Sequence, residues 1–408
     1  MEEHPHARYI VETLVKAGFV AYYAGGWVRD FLLNHPSDDI DIATNAPPET
    51  VQTLFSKTVP IGIAFGIILV VIDGHPYEVA TFRQDFDYKD ARRPSRVEFT
   101  TAEEDAKRRD FTINGMFYDP LKSEVIDYVA GKKDLEAKII RAIGNPHERI
   151  REDRLRMIRA ARFACRFHFS IDPATEKAIR AHATELFPAV AIERIVQELE
   201  KGLAFGKLRP LLIQLHDFGL LATIFPSLKN TALPDLEHRL EPLKHFPPKV
   251  PLIACLLELF PNSTLEEQLK LVEFMKLSNL DRQFTVFLFH ARGLTRAERP
   301  VELAEWAYFY ANKFSSLSLQ IIASRLDDRR RAGFLKEHEE QLNLLRRSID
   351  RIHAQDPLVK SNDLAAAGIP PSKEMGILLK EAERISINQQ IEDKSTVLNH
   401  LKNHPAWP

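Results

Sequence analysis

Asp39-Ile40-Asp41 sets two carboxylates two residues apart, with Gly25-Gly26 a helix-length upstream. On a strand the side-chain period is two, so both acids would project from one face while Ile40 and Ile42 anchor the other in a core. Two carboxylates held a few ångströms apart repel unless a cation sits between them. A pair of Mg²⁺ ions roughly 3.5–4 Å apart can activate a hydroxyl and stabilise a leaving pyrophosphate. An isolated pair of acids is more often a solvated strand end. Here the context shifts the balance. Ala24-Gly25-Gly26-Trp27-Val28-Arg29-Asp30 reads as a glycine turn opening a helix, and exposed backbone N–H groups there suit phosphate. Acids for metal beside a cradle for phosphate point to nucleotidyl transfer.

Three more clusters carry chemistry. Glu78, in Glu78-Val79-Ala80-Thr81-Phe82-Arg83, either joins the metal-binding acids or faces solvent. Lys107-Arg108-Arg109-Asp110-Phe111-Thr112-Ile113-Asn114-Gly115 gathers cations, an acid and an amide suited to triphosphate and ribose hydroxyls, although alone it reads as a salt-bridged surface turn. In Glu152-Asp153-Arg154-Leu155-Arg156, Asp153 and Arg156 are three apart, hence neighbours on a helical face, where a salt bridge is the commoner fate. As a base-reading pair, Asp153 accepts and Arg156 donates. Cytosine and adenine both present donor then acceptor, so either fits. Uracil and guanine present the reverse order and would leave buried groups unpaired, at about 1–3 kcal/mol each. Arg159, Arg162 and Arg166 continue at helical spacing and are candidates for the triphosphate.

The elements that must position these groups fall into two regimes. The first third mixes strands (Val20–Tyr23, Ile40–Ala43, Ile67–Ile72 and its hairpin partner Tyr77–Phe82 across Asp73-Gly74) with helices at Trp27–Leu33 and from Pro47, capped by Thr44 or Asn45. Arg83 to Arg96 is too charged for a core and reads as a mobile loop. From Asn145 the periodicity is helical: Glu148–Phe167 as one long run, then Pro173–Leu186, Ala191–Leu203, helices with proline joints, and a polar helix Leu335–His353. The expected fold is α+β, a small mixed α/β head followed by an all-helical neck, body and tail. The boundaries are 1–140, 141–205, 206–330 and 331–408.

Totals bound the class. A chain of 408 residues, 45% hydrophobic and 27% charged, has ample material for several cores. A net charge of -2 excludes a strongly basic nucleic-acid coat but not a local basic groove. Two cysteines make neither a disulfide framework nor a zinc cluster. No run approaches the roughly 18 apolar residues of a membrane span, and the amino terminus lacks a secretory pattern. The chain reads as cytoplasmic, with no obligatory protein partner evident.

Taken in order, Gly25–Asp30, Asp39–Thr44, Glu78–Arg83, Arg108–Asn114, Glu152–Arg156 and Glu193-Arg194-Ile195 resemble the class II nucleotidyltransferases of the polymerase β superfamily, which comprise CCA-adding tRNA nucleotidyltransferases and bacterial poly(A) polymerases. The resemblance implies Asp39 and Asp41 as ligands of two Mg²⁺ ions, and Asp153 with Arg156 as base template. It also implies triphosphate or ribose contacts from Gly25, Gly26, Arg29, Asp110, Asn114, Arg159 and Arg162, with Arg109 beside them. Arg83, Tyr88, Arg92 and Arg93, with Pro94, resemble the flexible loop such enzymes need for adding A. The chain departs from the family pattern at four places: Asn34-His35-Pro36 replaces a glycine–cation turn, Gly115 an alanine, Ile150 an aromatic, and Arg154 an alanine or proline.

The implied reaction is template-independent extension of an RNA 3′ end, with ATP and CTP as substrates. Ser361-Asn362-Asp363-Leu364 through Gly368 and Gly376 resembles the tail that grips tRNA, favouring CCA addition. Ile143-Gly144-Asn145-Pro146 resembles bacterial poly(A) polymerases, so a poly(A) polymerase or a dedicated A-adding enzyme stays open. Two other classes compete. His216-Asp217 prompts an HD-type phosphohydrolase, but reads better as a helix end closed by Gly219. A noncatalytic RNA-binding protein gains nothing from paired acids facing phosphate.

Overall fold

Ala21–Ala24 (β1) is too short to stand alone, so its neighbours define it. It pairs antiparallel with Asp41–Thr44 (β2) on one side, Ala24 opposite Asp41, and with Phe117–Asp119 (β8) on the other. The structure, a computed structural model, describes residues 4–35, 37–88 and 94–407. Thr58–Gly62 (β3), Ile67–Ile72 (β4), His75–Thr81 (β5) and Glu124–Ile126 (β9) complete a seven-stranded sheet in the order β3-β4-β5-β2-β1-β8-β9. β2 and β5 run parallel while the other pairs are antiparallel, so the sheet is mixed. Helices Pro5–Lys16 (α1), Gly26–Leu32 (α2), Pro48–Leu54 (α3), Ala102–Arg108 (α4) and Gly131–Glu136 (α5) accompany it. The continuous apolar run Ile67–Ile72 forms β4 as expected, and Asp73-Gly74 makes its turn, both residues with positive φ.

Past the head the chain is helical: Pro146–Glu152 (α6), Arg156–Phe167 (α7), Pro173–His182 (α8), Ile192–Ala204 (α9), Leu208–Asp217 (α10) and Leu220–Ile224 (α11). The chain divides into two compact units, Met1–Leu233 and Pro234–Pro408. In the second, Ala291, Trp306, Ala307, Phe309, Tyr310, Leu345 and Ile349 are among the members of one apolar core, and Leu364, Leu378, Val397 and Leu401 help build another. Among the described residues no helix is long and apolar enough to cross a membrane. The α+β class stands, a mixed sheet followed by helices.

Several expected elements differ. β2 begins at Asp41, leaving exposed Asp39 in the approach to the strand rather than inside it. Helix α3 is capped by Pro47, because Thr44 and Asn45 bond instead to the Val20 backbone, Oγ1 to its carbonyl at 2.6 Å and Oδ1 from its N–H at 2.7 Å. Arg83–Tyr88 (β6) pairs with Pro94–Phe99 (β7) as a separate antiparallel ribbon rather than a loop. A two-stranded ribbon satisfies its backbone without an apolar face, so its charge did not forbid strands. Arg92 and Arg93 lie outside the described residues.

The long run Glu148–Phe167 is two helices, broken at Asp153-Arg154-Leu155. Asp153 leaves helical geometry (φ −145°, ψ 103°) and its carboxylate accepts the Leu155 N–H at 3.1 Å, the local competition that makes aspartate a helix breaker. The polar helix expected over Leu335–His353 starts earlier, capped by Asp327, and divides into Asp328–Leu344 and Arg346–Ala354.

At Gly115 a Cβ would fall 2.7 Å from Val129 and 3.0 Å from Ile143. Gly131, the first residue of α5, is tighter, since a Cβ there would lie 2.4 Å from the Thr112 carbonyl oxygen and 2.8 Å from Met116. Gly131→Ala should therefore lower stability by about 1–3 kcal/mol. The expected reading is a lower urea midpoint with an unchanged slope.

Candidate functional site

The β1–β2 register places the Gly25-Gly26 turn beside Asp41. Gly25 sits at φ +70°, and a Cβ there would stand 3.2 Å from Arg109 Nη1 and 3.5 Å from Asp41 Oδ2. Both the left-handed backbone and the close approach require glycine. From this turn opens a cleft of about 440 Å³ lined by Gly25, Gly26, Arg29, Asp41, Arg109, Asp110, Asn114, Arg159, Arg162, Phe163, Arg166, Lys201 and Phe205. Six of these are cations against two acids, so the cleft suits a polyanion. It gathers most of the residues singled out in the sequence.

The arginines come mainly from α7, where Arg159, Arg162 and Arg166 recur at three and four residues opposite a stripe of Met157, Ile158, Ala160, Ala161 and Ala164. Each is held by an acid. Asp110 accepts from Arg159 Nη2 at 2.6 Å and Nε at 2.8 Å, and from Asn114 Nδ2 at 3.0 Å. Burial works against its charge, but Arg159 and Asn114 hold its carboxyl well below the usual range. Asn114 Oδ1 in turn accepts from Arg29 Nη1 at 2.6 Å. Arg29 is buried, bonded to Asp30 and stacked near Phe163 and Phe167; burial lowers its pKa to about 10, so it stays charged. Asp30 also accepts from Arg166 at 3.2 Å. Glu198 of α9, 2% exposed, accepts from Arg159, Arg162 and Lys201. Arg109 lies over the Phe117 ring and is fixed by Asp105, which also takes Arg108 and the Arg83 backbone N–H.

Sequence reasoning did not single out Asp30, Asp105, Glu198, Lys201 or Phe205 for the site. Glu198 and Lys201 stand three apart on the amphipathic α9, which was a usable signal. That Glu198 meets α7 was not, because the contact spans 36 residues.

At the acid end, burial first, then Glu78 and Asp39, push the Asp41 carboxyl up to about 6, while Arg109 pulls the other way. Glu78 is exposed on β5 and lines a smaller cleft with Asp41, Arg108 and Arg109. Among the described residues no three His, Cys, Asp or Glu side chains are gathered closely enough to hold an ion together. Asp41, with Asp39 and Glu78 near enough to raise its pKa, offers carboxylate oxygens of the kind Mg²⁺ takes, one or two at a time beside substrate phosphates and water. An acid whose charge is opposed by burial and by two neighbouring acids is a site a cation would relieve.

Asp153 and Arg156 meet only through the backbone, where the Arg156 N–H donates to the Asp153 carbonyl at 3.1 Å; their side chains are held elsewhere. Arg194 of α9 reaches Asp153 with both terminal nitrogens, at 3.1 and 2.8 Å. Arg156 donates to the Arg149 carbonyl at 2.6 Å and to Glu152 at 2.8 Å. Neither lines the cleft, yet Arg156 is near enough to lower the Asp110 pKa. His216 is bonded to the Thr231 carbonyl oxygen and Asp217 to Arg180, with Gly219 at φ +79°, which fits a helix end and not a phosphohydrolase centre.

Two family models match in chain order: the poly A polymerase head domain over residues 21–141, and the probable RNA and SrmB-binding site of polymerase A over residues 168–231. Over these two stretches the chain is similar to the head and the RNA-binding region of poly(A) polymerases. Among curated relatives, the CCA-adding enzymes of Bacillus cytotoxicus (46% identical over 202 residues) and Streptococcus mutans (48% over 200) each match 49% of the chain. These matches span about half the length of the curated relatives. Over 97% of the chain the fold matches the Bacillus stearothermophilus CCA-adding enzyme solved with CTP, at 27% identity, TM-score 0.75 and 96% of that chain. The Thermotoga maritima CCA-adding enzyme complexed with tRNA shares the fold at 21% identity, TM-score 0.69, over 97% of this chain and 94% of that one.

The raised Asp41 pKa has a stability consequence. Its folded value near 6 lies above the ordinary value of about 4. Stability of the cation-free protein should therefore fall as pH rises from about 4 through 6. Asp41→Asn removes that cost, so it should stabilise the cation-free protein at pH 7–8 by on the order of 3 kcal/mol, read as a higher melting temperature, and leave it nearly unchanged at pH 4. Equal gains at both pH values would refute the charge argument.

Proposed function

We propose that this chain is a template-independent RNA 3′-terminal nucleotidyltransferase that adds CCA to tRNA from CTP and ATP, acting in the cytoplasm. The observation that carries the reading is the cleft itself: Asp41 and a positive-φ glycine turn at one end, opening onto a wall of six cations braced by buried acids. In this reading residues 1–140 hold the reacting groups, 141–205 read the base, and the body (206–330) and tail (331–408) carry the RNA. The names of the curated relatives favour CCA addition over A addition alone.

Asp39 and Asp41 would hold two Mg²⁺ ions, with Glu78 a candidate third acid, and the ions would supply activation of the RNA 3′ hydroxyl and charge neutralisation at the α-phosphate. The protein's own groups do the rest. Gly25 and Gly26 let the backbone approach the nucleotide closely. Arg29, Arg109, Arg159 and Arg162 stand ready for the triphosphate, and because acids already hold them in place, little reorganisation is needed as negative charge moves to the leaving group. Asp110 and Asn114 face the ribose. Asp153 and Arg156 read the base edge, accepting C and A and leaving groups unpaired against U and G. The β6–β7 ribbon, which carries Arg83 and Tyr88 and flanks Arg92 and Arg93, is the segment proposed to move between C and A addition.

The deciding experiment is incorporation onto tRNA transcripts ending before, within and after CCA, with each NTP singly and with CTP plus ATP. Addition of two C and one A, then arrest, is expected. A long A tract on any RNA would make the protein a poly(A) polymerase, and a single A only on CC ends a dedicated A-adding enzyme. Asp39→Ala and Asp41→Ala should each abolish incorporation while retaining the fold; substantial turnover in either would overturn the metal assignment. Asp153→Ala should erode discrimination among the four NTPs more than it weakens RNA binding, measured as kcat/KM ratios beside a filter-binding Kd.

A further inference from the structure

Arg154 stands inside the break between α6 and α7, beside Asp153. Its guanidinium donates to Glu185 Oε2 through Nη2 at 3.0 Å and Nε at 3.2 Å. The other Glu185 oxygen bonds His182 Nδ1 at 2.8 Å. His182, 6% exposed at the end of α8, meets His147 across its second nitrogen at 3.1 Å. His147 lies in the first turn of α6.

This relay ties the start of α6 and the break at its end to one carboxylate. Between those two anchors α6 carries the groups that hold Arg156, namely the Arg149 carbonyl and Glu152. Asp153, on the other side of the break, is oriented by Arg194. Helix α6 is only two turns long, and such a helix depends on tertiary anchors for its placement. We infer that Glu185, linked to Arg154 and through His182 to His147, is a specificity-determining positioning residue: it sets the spacing of Asp153 and Arg156 and thereby the choice of base. Glu185 touches no reacting atom in this scheme. The inference rests on the proposed reading that Asp153 and Arg156 recognise the base.

The test compares kcat/KM for all four NTPs on tRNA transcripts in Glu185→Ala, Glu185→Gln, Arg154→Ala and the Arg154→Ala/Glu185→Ala double variant, with Asp153→Ala alongside and a urea midpoint for each. Because the pair is partly exposed, the expected loss of C-over-U and A-over-G preference in either alanine variant is modest, about three- to five-fold. The double variant should lose no more than the single ones, since both remove the same link. Glu185→Gln keeps the shape and guards against a folding failure; it should retain part of the selectivity. A uniform loss of rate with all four NTPs, selectivity intact, would make the relay a stability device and overturn the inference. Selectivity unchanged at Glu185 and Arg154 but lost at Asp153 would overturn this inference and leave the base-reading proposal standing. Selectivity unchanged in Asp153→Ala would remove the base-reading proposal and the inference with it.

Discussion

The register of β1 against β2 is the constraint from which the site follows. With Ala24 opposite Asp41, the turn that leaves β1 must pass the carboxylate that opens β2. A slip of one residue would carry Asp41 to the buried face and bring Ile40 or Ile42 out of the core, where they are 4% and 0% exposed. The apolar residues thus fix the acid's position. Gly25 then admits Arg109 and Asp41 to the same few ångströms, and Asp105 keeps that arginine from collapsing onto the acid.

Beyond this point the head–neck cleft is organised by alternation of charge. Asp30 takes two cations, Glu198 three, and Asp110 takes Arg159 beside the Asn114 amide, so no buried guanidinium of the wall relies on solvent. Buried charge is tolerable only when paired and hydrogen-bonded. The consequence is a rigid positive surface, assembled before any anion arrives, while Asp41 at its end carries an unfavourable charge that a cation would offset. Stabilised cations and a destabilised acid in one cavity are what an electrostatic catalyst needs.

Much of this was legible in the residues. The paired acids, the glycine turn and the three- and four-residue recurrence of arginine on α7 are local signals; Gly25, Gly26, Asp41 and the three arginines meet in one cleft, while Asp39 stands just before its strand rather than in it. What escaped has a common cause. Glu198 and Arg194 act on groups some 40 residues away, and periodicity is blind to such partners. The α6–α7 break escaped because Arg, Leu and Met around it are good helix formers; the side chain of Asp153, competing for the Leu155 N–H, decided the matter against the average propensity. The β6–β7 ribbon escaped because charge content was read as a bar to strands, when pairing of the backbone alone suffices.

One strand faces outward with a hazard of its own. β3 lies at the rim of the sheet and exposes Val59 and Ile61, with Ile63 exposed just after it, the sort of edge on which a second chain can add itself and begin aggregation. Pro60 sits in its middle and offers no N–H, and the pairing to β4 shifts between Pro60 and Gly62. The opposite rim, β9, is three residues long. The head can therefore keep an oily border at high concentration, during synthesis and refolding alike, because a would-be neighbour finds the hydrogen-bond ladder interrupted at its centre.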